Sequence, residues 1–131
     1  MILTTKARYA VMAIIEIAAN VDGAPLSLQT ISKRQDISLS YLEQIFLRLK
    51  KAGIVSAIKG PGGGYILAKK REEITVAKII NAIGEPIKMT RCKNDKGGCM
   101  KISTKCKTHH LWHGLESRIY DYLDSISLQN F

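Results

Sequence analysis

The feature that most limits what this chain can fold into is the run Gly60-Pro61-Gly62-Gly63-Gly64, set between two short stretches, 54–59 and 65–68, that alternate as strands do. Glycines adopt backbone angles closed to other residues and bring peptide N–H groups close to whatever they touch. A phosphate-cradling loop would need a Lys and a Ser or Thr opening a helix, whereas here a strand follows. A purely structural turn rarely needs so much glycine. The segment reads as a hairpin with a thin tip, carrying Lys59 at its edge.

Three helices are predicted ahead of the hairpin. The first covers 4–20, capped by Thr4 or Thr5, with Tyr9, Met12, Ala13, Ile17 and Asn20 at helical spacing. Gly23 and Pro25 mark a turn, and Ser27 caps a second helix to about Arg34 with Leu28 and Ile31 inward. Ser38 caps a third, from Leu39 to about Ala52, which buries Leu42, Ile45, Phe46 and Leu49 and stops at Gly53. Two short helices joined by a tight turn form a helix-turn-helix, and a hairpin directly after it is the wing of a winged helix. The third helix turns Ser40, Tyr41, Gln44, Arg48 and Lys51 to the other side. Hydroxyls, an amide and cations are groups that meet phosphates and base edges in a major groove, while a thin wing tip fits a minor groove. Glu43 is the odd residue there. It either accepts a hydrogen bond from a cytosine amino group, rejecting sites that lack such a donor, or pairs with cations along its own helix. The candidate DNA-contacting set is Ser38, Ser40, Tyr41, Glu43, Gln44, Arg48 and Lys51, with Lys59, Gly60, Pro61 and Gly62 on the wing.

Charge agrees with a polyanionic partner. Twenty Lys and Arg against 11 Asp and Glu give +9 on 131 residues, a field that attracts nucleic acid, anionic membrane or acidic protein. No apolar run reaches the roughly 18 residues of a transmembrane helix, and the N-terminus lacks the order of a secretory signal. A soluble, cytoplasmic protein is expected.

A short helix is predicted over 75–83, with Thr75 as cap and Gly84 as stop. Residues 88–107 then carry many lysines, few large apolar side chains and all three cysteines. The last helix runs from about Cys106 or Thr108 to Ile126, with Leu111, Leu115, Ile119, Tyr122 and Ile126 as an apolar stripe. Either the first helix or the same helix of a second subunit would bury that stripe. The chain divides into a winged helix-turn-helix over 1–84, a cysteine-rich loop over 85–107 and a dimerisation helix over 108–131. The fold class is mainly α with a small β-hairpin.

The cysteines are spaced Cys92, six residues, Cys99, six residues, Cys106, then two residues to His109. An odd, clustered set in a chain without an export signal argues for a metal, cluster or redox site over a disulfide framework. Close pairs typical of structural zinc are missing, as is the spacing of thiol redox motifs. Three thiolates with an imidazole suit an iron–sulfur cluster or zinc, and redox-sensing thiols remain a third reading. His109, His110 and His113 all follow Cys106 on broadly one side of a helix, so any could complete the set. No paired carboxylates, nucleophile–base set or cofactor fingerprint suggests an enzyme.

The runs Leu39-Ser40-Tyr41-Leu42-Glu43-Gln44 and Gly60-Pro61-Gly62-Gly63-Gly64-Tyr65, with the cysteine loop closing on Thr108-His109 and Leu111-Trp112, resemble the IscR-like iron–sulfur cluster regulators. These are bacterial winged-helix repressors, and Leu3 to Val11 is similar to the family's first helix. The resemblance extends from Met1 to about Ile126. It implies a homodimer on promoter DNA with a 2Fe–2S cluster in each subunit, held by Cys92, Cys99, Cys106 and His109. It implies Ser40, Tyr41 and Gln44 as base readers and Lys59 as a minor-groove contact. Control of cluster-assembly genes follows, with the assembly machinery as cluster donor. Each inter-cysteine gap is a residue longer than in the nearest relatives' pattern, and cousins with other spacings sense nitric oxide or iron. The alternative is therefore the same fold sensing zinc, nitric oxide or thiol oxidation through this loop.

Overall fold

Each of the first four helices begins at a hydroxyl. Thr4, Ser27, Ser38 and Thr75 accept the N–H of Ala7 (3.1 Å), Thr30 (3.2 Å), Tyr41 (3.5 Å) and Lys78 (3.2 Å), satisfying N–H groups that have no partner within the helix. The computed structural model describes residues 3–89 and 105–131. Within them lie α1 (Thr5–Ala18), α2 (Leu28–Gln35), α3 (Leu39–Lys51), β1 (Val55–Ile58), β2 (Gly64–Leu67), α4 (Val76–Ala82) and α5 (His109–Asp124). The winged helix-turn-helix read from the sequence is the fold observed, with its elements in the expected order. Short 3-10 turns at Val21–Gly23, Arg71–Glu73 and Leu128–Asn130 were not anticipated. No helix among the described residues is long and apolar enough to cross a membrane.

The core lies between α1, α3, α4 and the base of the hairpin. Leu42, Ile45, Phe46 and Leu49 are fully buried, as the third helix's periodicity predicts. α1 is rotated from the expected stripe. Its buried side is Ala7, Ala10, Ala13, Ile14, Ile17 and Ala18, while Tyr9 and Met12 are only half-buried. Alanines let neighbouring helices approach closely, so the small side chains face inward. The turn between α2 and α3 passes through Asp36 in the left-handed region (φ 53°), after which Ile37 plugs the core. Glu16 of α1 clasps α2 by accepting from Arg34 (3.3 Å) and from Gln35.

β1 and β2 pair antiparallel, Val55 with Leu67 through Ile58 with Gly64. The tip-side end of β2 is bolted to the residue ahead of Ser27: Leu26 and Tyr65 exchange backbone bonds of 3.0 and 2.9 Å. That pairing requires glycine at position 64, because a Cβ there would press on the Leu26 carbonyl and lie 2.8 Å from the Ser27 nitrogen. At Gly63 a Cβ would strike the Ile58 carbonyl oxygen. The end of the chain returns to the core. Leu128 is buried, its N–H donates to the Ile74 carbonyl at 3.0 Å, and Thr75 donates to the Asp124 carboxylate at 2.7 Å.

Gly64→Ala is expected to lose about 3 kcal/mol or more of urea-unfolding stability, because backbone must move. Gly62→Ala, at φ 73° in open space, should cost only about 1–2 kcal/mol. Equal losses would show that the junction of β2 with Leu26 yields freely.

Candidate functional site

On α3 the residues opposite the core are Ser40, Glu43, Gln44, Leu47, Arg48 and Lys51, all exposed. Ser40, Gln44, Leu47 and Lys51 recur at intervals of four, three and four, so they form one stripe. Leu47 is the member the sequence reading passed over. It is 58% exposed among polar neighbours, and its only signal in sequence is a leucine out of phase with Leu42, Ile45, Phe46 and Leu49. An exposed methyl-bearing side chain on such a helix can meet a thymine methyl.

Two of the polar-face residues also serve the fold. Tyr41 is half-buried, with its ring edge-on to Tyr9 of α1 at 5.8 Å and 88°. Arg48 donates from its guanidinium to the Ile83 carbonyl at 2.6 Å, joining the end of α3 to the end of α4. The same guanidinium covers Gly84, where a Cβ would lie 2.7 Å from it. Ser38 is committed to capping α3.

The wing tip presents Lys59, Gly60, Pro61 and Gly62, all exposed, and is closed by a 2.9 Å bond from the Gly63 N–H to the Gly60 carbonyl. Just behind the wing tip, the ring of Tyr65 meets Phe46 at 4.9 Å. The wing and α3 are thereby held in one fixed relation.

Of the cysteine set, Cys92 and Cys99 lie outside the described residues. Cys106 is half-buried, its sulfur is 3.7 Å from the Thr108 hydroxyl, and its carbonyl accepts the His109 N–H at 3.1 Å. Cys106 and His109 thus stand about a helical turn apart where α5 begins. Partial burial, with Lys105, His110 and His113 adding positive charge nearby, holds the His109 imidazole below its ordinary pKa, while Glu116 acts the other way. The neutral ring, which is the metal-binding form, is favoured. His109 contacts His110 edge-on at 5.6 Å and stacks on His113 at 6.0 Å and 5°. Glu116, two turns further on, accepts the N–H of Met89, so the chain entering the cysteine loop and the chain leaving it are both attached to α5. Among the described residues no three His, Cys, Asp or Glu side chains are arranged to hold a metal ion.

The chain matches the profile of the Rrf2 family, iron-dependent transcriptional regulator, over residues 3–131. It is 49% identical over 126 residues to the HTH-type transcriptional regulator IscR of Escherichia coli, covering 96% of this chain and 76% of that protein. Among solved structures, T. potens IscR superposes with a TM-score of 0.79 at 33% identity, over 99% of this chain and 85% of that one. CymR, the global cysteine regulator of B. subtilis, superposes with a TM-score of 0.82 at 30% identity, over 99% and 95%. A winged helix with an exposed reading stripe and this degree of likeness along its length leads to one conclusion: the chain belongs to the Rrf2 family and is an IscR-like, DNA-binding transcriptional regulator, not an enzyme.

Proposed function

We propose that this regulator is a homodimeric cytoplasmic repressor that senses iron–sulfur cluster status and controls genes for cluster assembly. The observation that carries the reading is the corner at the start of α5, where Cys106 and His109 are joined by a backbone bond as the chain leaves its cysteine loop. Soft thiolates with an imidazole suit an iron–sulfur centre. Cys92, Cys99, Cys106 and His109 would hold a 2Fe–2S cluster, which would supply a redox-active group whose presence tracks iron and sulfide supply. An imidazole in place of a fourth thiolate reduces the negative charge at the site and raises its reduction potential. The assembly machinery is the source of the cluster.

The other roles belong to the chain's own side chains. Ser40, Tyr41, Glu43, Gln44 and Lys51 face the major groove, with Ser38 at the head of their helix and Arg48 contributing the donors left over from Ile83. Lys59, Gly60, Pro61 and Gly62 probe the minor groove. Leu111, Leu115 and Tyr122 of α5 are 60%, 37% and 65% exposed, and Leu3, Arg118, Ile119, Tyr122 and Leu123 line a groove beside them. A second copy's α5 would bury this surface.

Anaerobic purification followed by an absorption spectrum and titration onto promoter DNA tests the proposal. A brown protein with visible charge-transfer bands supports it. A colourless one whose DNA binding follows zinc or thiol oxidation turns the reading to those signals. His109→Ala is expected to make the cluster labile while leaving a dimer that still binds DNA, and an unshifted, stable spectrum in that variant would reject His109 as ligand. Gln44→Ala should weaken binding by about 1–3 kcal/mol on specific DNA only, whereas Lys59→Ala should reduce the slope of log affinity against log salt by about 0.9 on any sequence. Filter binding over a salt series separates the two. Arg48→Gln should cost about 1–2 kcal/mol in urea unfolding through loss of the Ile83 contact, with a smaller change in salt slope than Lys59→Ala.

A further inference from the structure

The cluster reading uses one histidine of three, and the other two have no role in it. We propose that in the cluster-free protein His109 and His113 chelate a single divalent transition-metal ion of the class that prefers imidazole. They are four residues apart on α5, and residues so spaced lie one above the other on a helix face. Their rings are neighbours, with centroids 6.0 Å and planes 5° apart. Two imidazoles bound to one ion at about 2.0–2.1 Å per nitrogen bring their centroids to roughly 5 Å. Because an ion lies in the plane of each ring that binds it, the stacked rings must turn toward one another to share one, a rotation about the side-chain bonds that leaves the helix backbone fixed.

Paired histidines at this spacing on one helix form the core of familiar zinc sites. His110, one residue from His109, meets it edge-on and points around the helix. Each ring donates one pair, two metal-bound waters leave and no proton need be released. The pair supplies two donors, and water can take those positions that no other side chain fills. Affinity should follow the order Cu2+ above Ni2+, with Co2+ weaker than Ni2+.

A further consequence rests on the proposed cluster ligands. His109 cannot serve the chelate and the cluster together, so an ion on the pair opposes cluster loading. Excess divalent metal would then be read by the regulator as cluster shortage.

The test uses Ni2+ and the full chain carrying Cys92→Ser, Cys99→Ser and Cys106→Ser, which removes competing thiolates. Calorimetric titration should show one ion per chain, weakened tenfold or more by His113→Asn and by His109→Asn, and unchanged by His110→Asn. Circular dichroism verifies that each variant remains helical. Nickel binding that survives His113→Asn overturns the chelate. A second arm restores the cysteines and follows anaerobic cluster reconstitution by absorbance with and without Ni2+. Slowing in the parent chain, relieved in His113→Asn, supports the competition. A chelate that titrates as expected but does not slow reconstitution overturns the competition and singles out the assignment of His109 to the cluster as the part that failed.

Discussion

Phe46 is fully buried on the inner side of α3, and its ring meets Tyr65 of β2 at 4.9 Å with the planes tilted by 59°. Such a pair adds about 0.5–1.5 kcal/mol beyond the burial of its area, yet its placement matters more than its size. A two-stranded hairpin is marginal in water when alone, so this wing borrows its order from α3. Tyr65 also exchanges backbone bonds with Leu26 just ahead of α2. One residue thereby joins the wing, the reading helix and the approach to its companion helix. The separation between Gln44 and Lys59 is set by these buried contacts, and the exposed side chains are free to vary without disturbing it.

Three of the arginines are used to hold the fold. Arg71 donates to the Ala18 carbonyl and Arg48 to the Ile83 carbonyl, so each closes the C-terminal end of a helix where unpaired carbonyls and the negative end of the dipole attract a cation. Arg34 pairs with Glu16. A planar, many-donor group suits such fixed contacts better than an ammonium does. Lys50, Lys51 and Lys59 stay exposed. The formal charge of +9 therefore includes arginines already engaged within the fold.

What could be read from the sequence was whatever depends on neighbours along the chain. Caps at Thr4, Ser27, Ser38 and Thr75, the stop at Gly53 and the buried stripe of α3 are local or periodic, and all were legible. The orientation of α1 was not, because alanine carries too little hydrophobic contrast to outvote Tyr9 and Met12. Tyr41 against Tyr9 and Arg48 on Ile83 are contacts between separate elements, and no local pattern announces them. Leu128 joins the core only because the chain doubles back to Ile74 after α5. At the cysteine corner the donor types and the adjacency of Cys106 and His109 were legible; the stacking of His109 on His113 needed a helix with known side-chain directions.

α5 is held unevenly. Its last residues are fastened by Asp124 to Thr75 and by the burial of Leu128, while Leu111 and Leu115 near its beginning stand exposed. A 16-residue helix is about 24 Å long, so it forms a lever pivoted at the far end from the cysteines. A tilt of about 5° at the pivot moves the His109 end by roughly 2 Å over that length. Conversely, a change that tightened or slackened the chain around Cys106 would act with that mechanical advantage on Thr75, the residue that opens α4. A displacement of the corner that carries the sulfur and imidazole donors would thus reach the winged helix through the far end of α5, at Asp124 and Thr75.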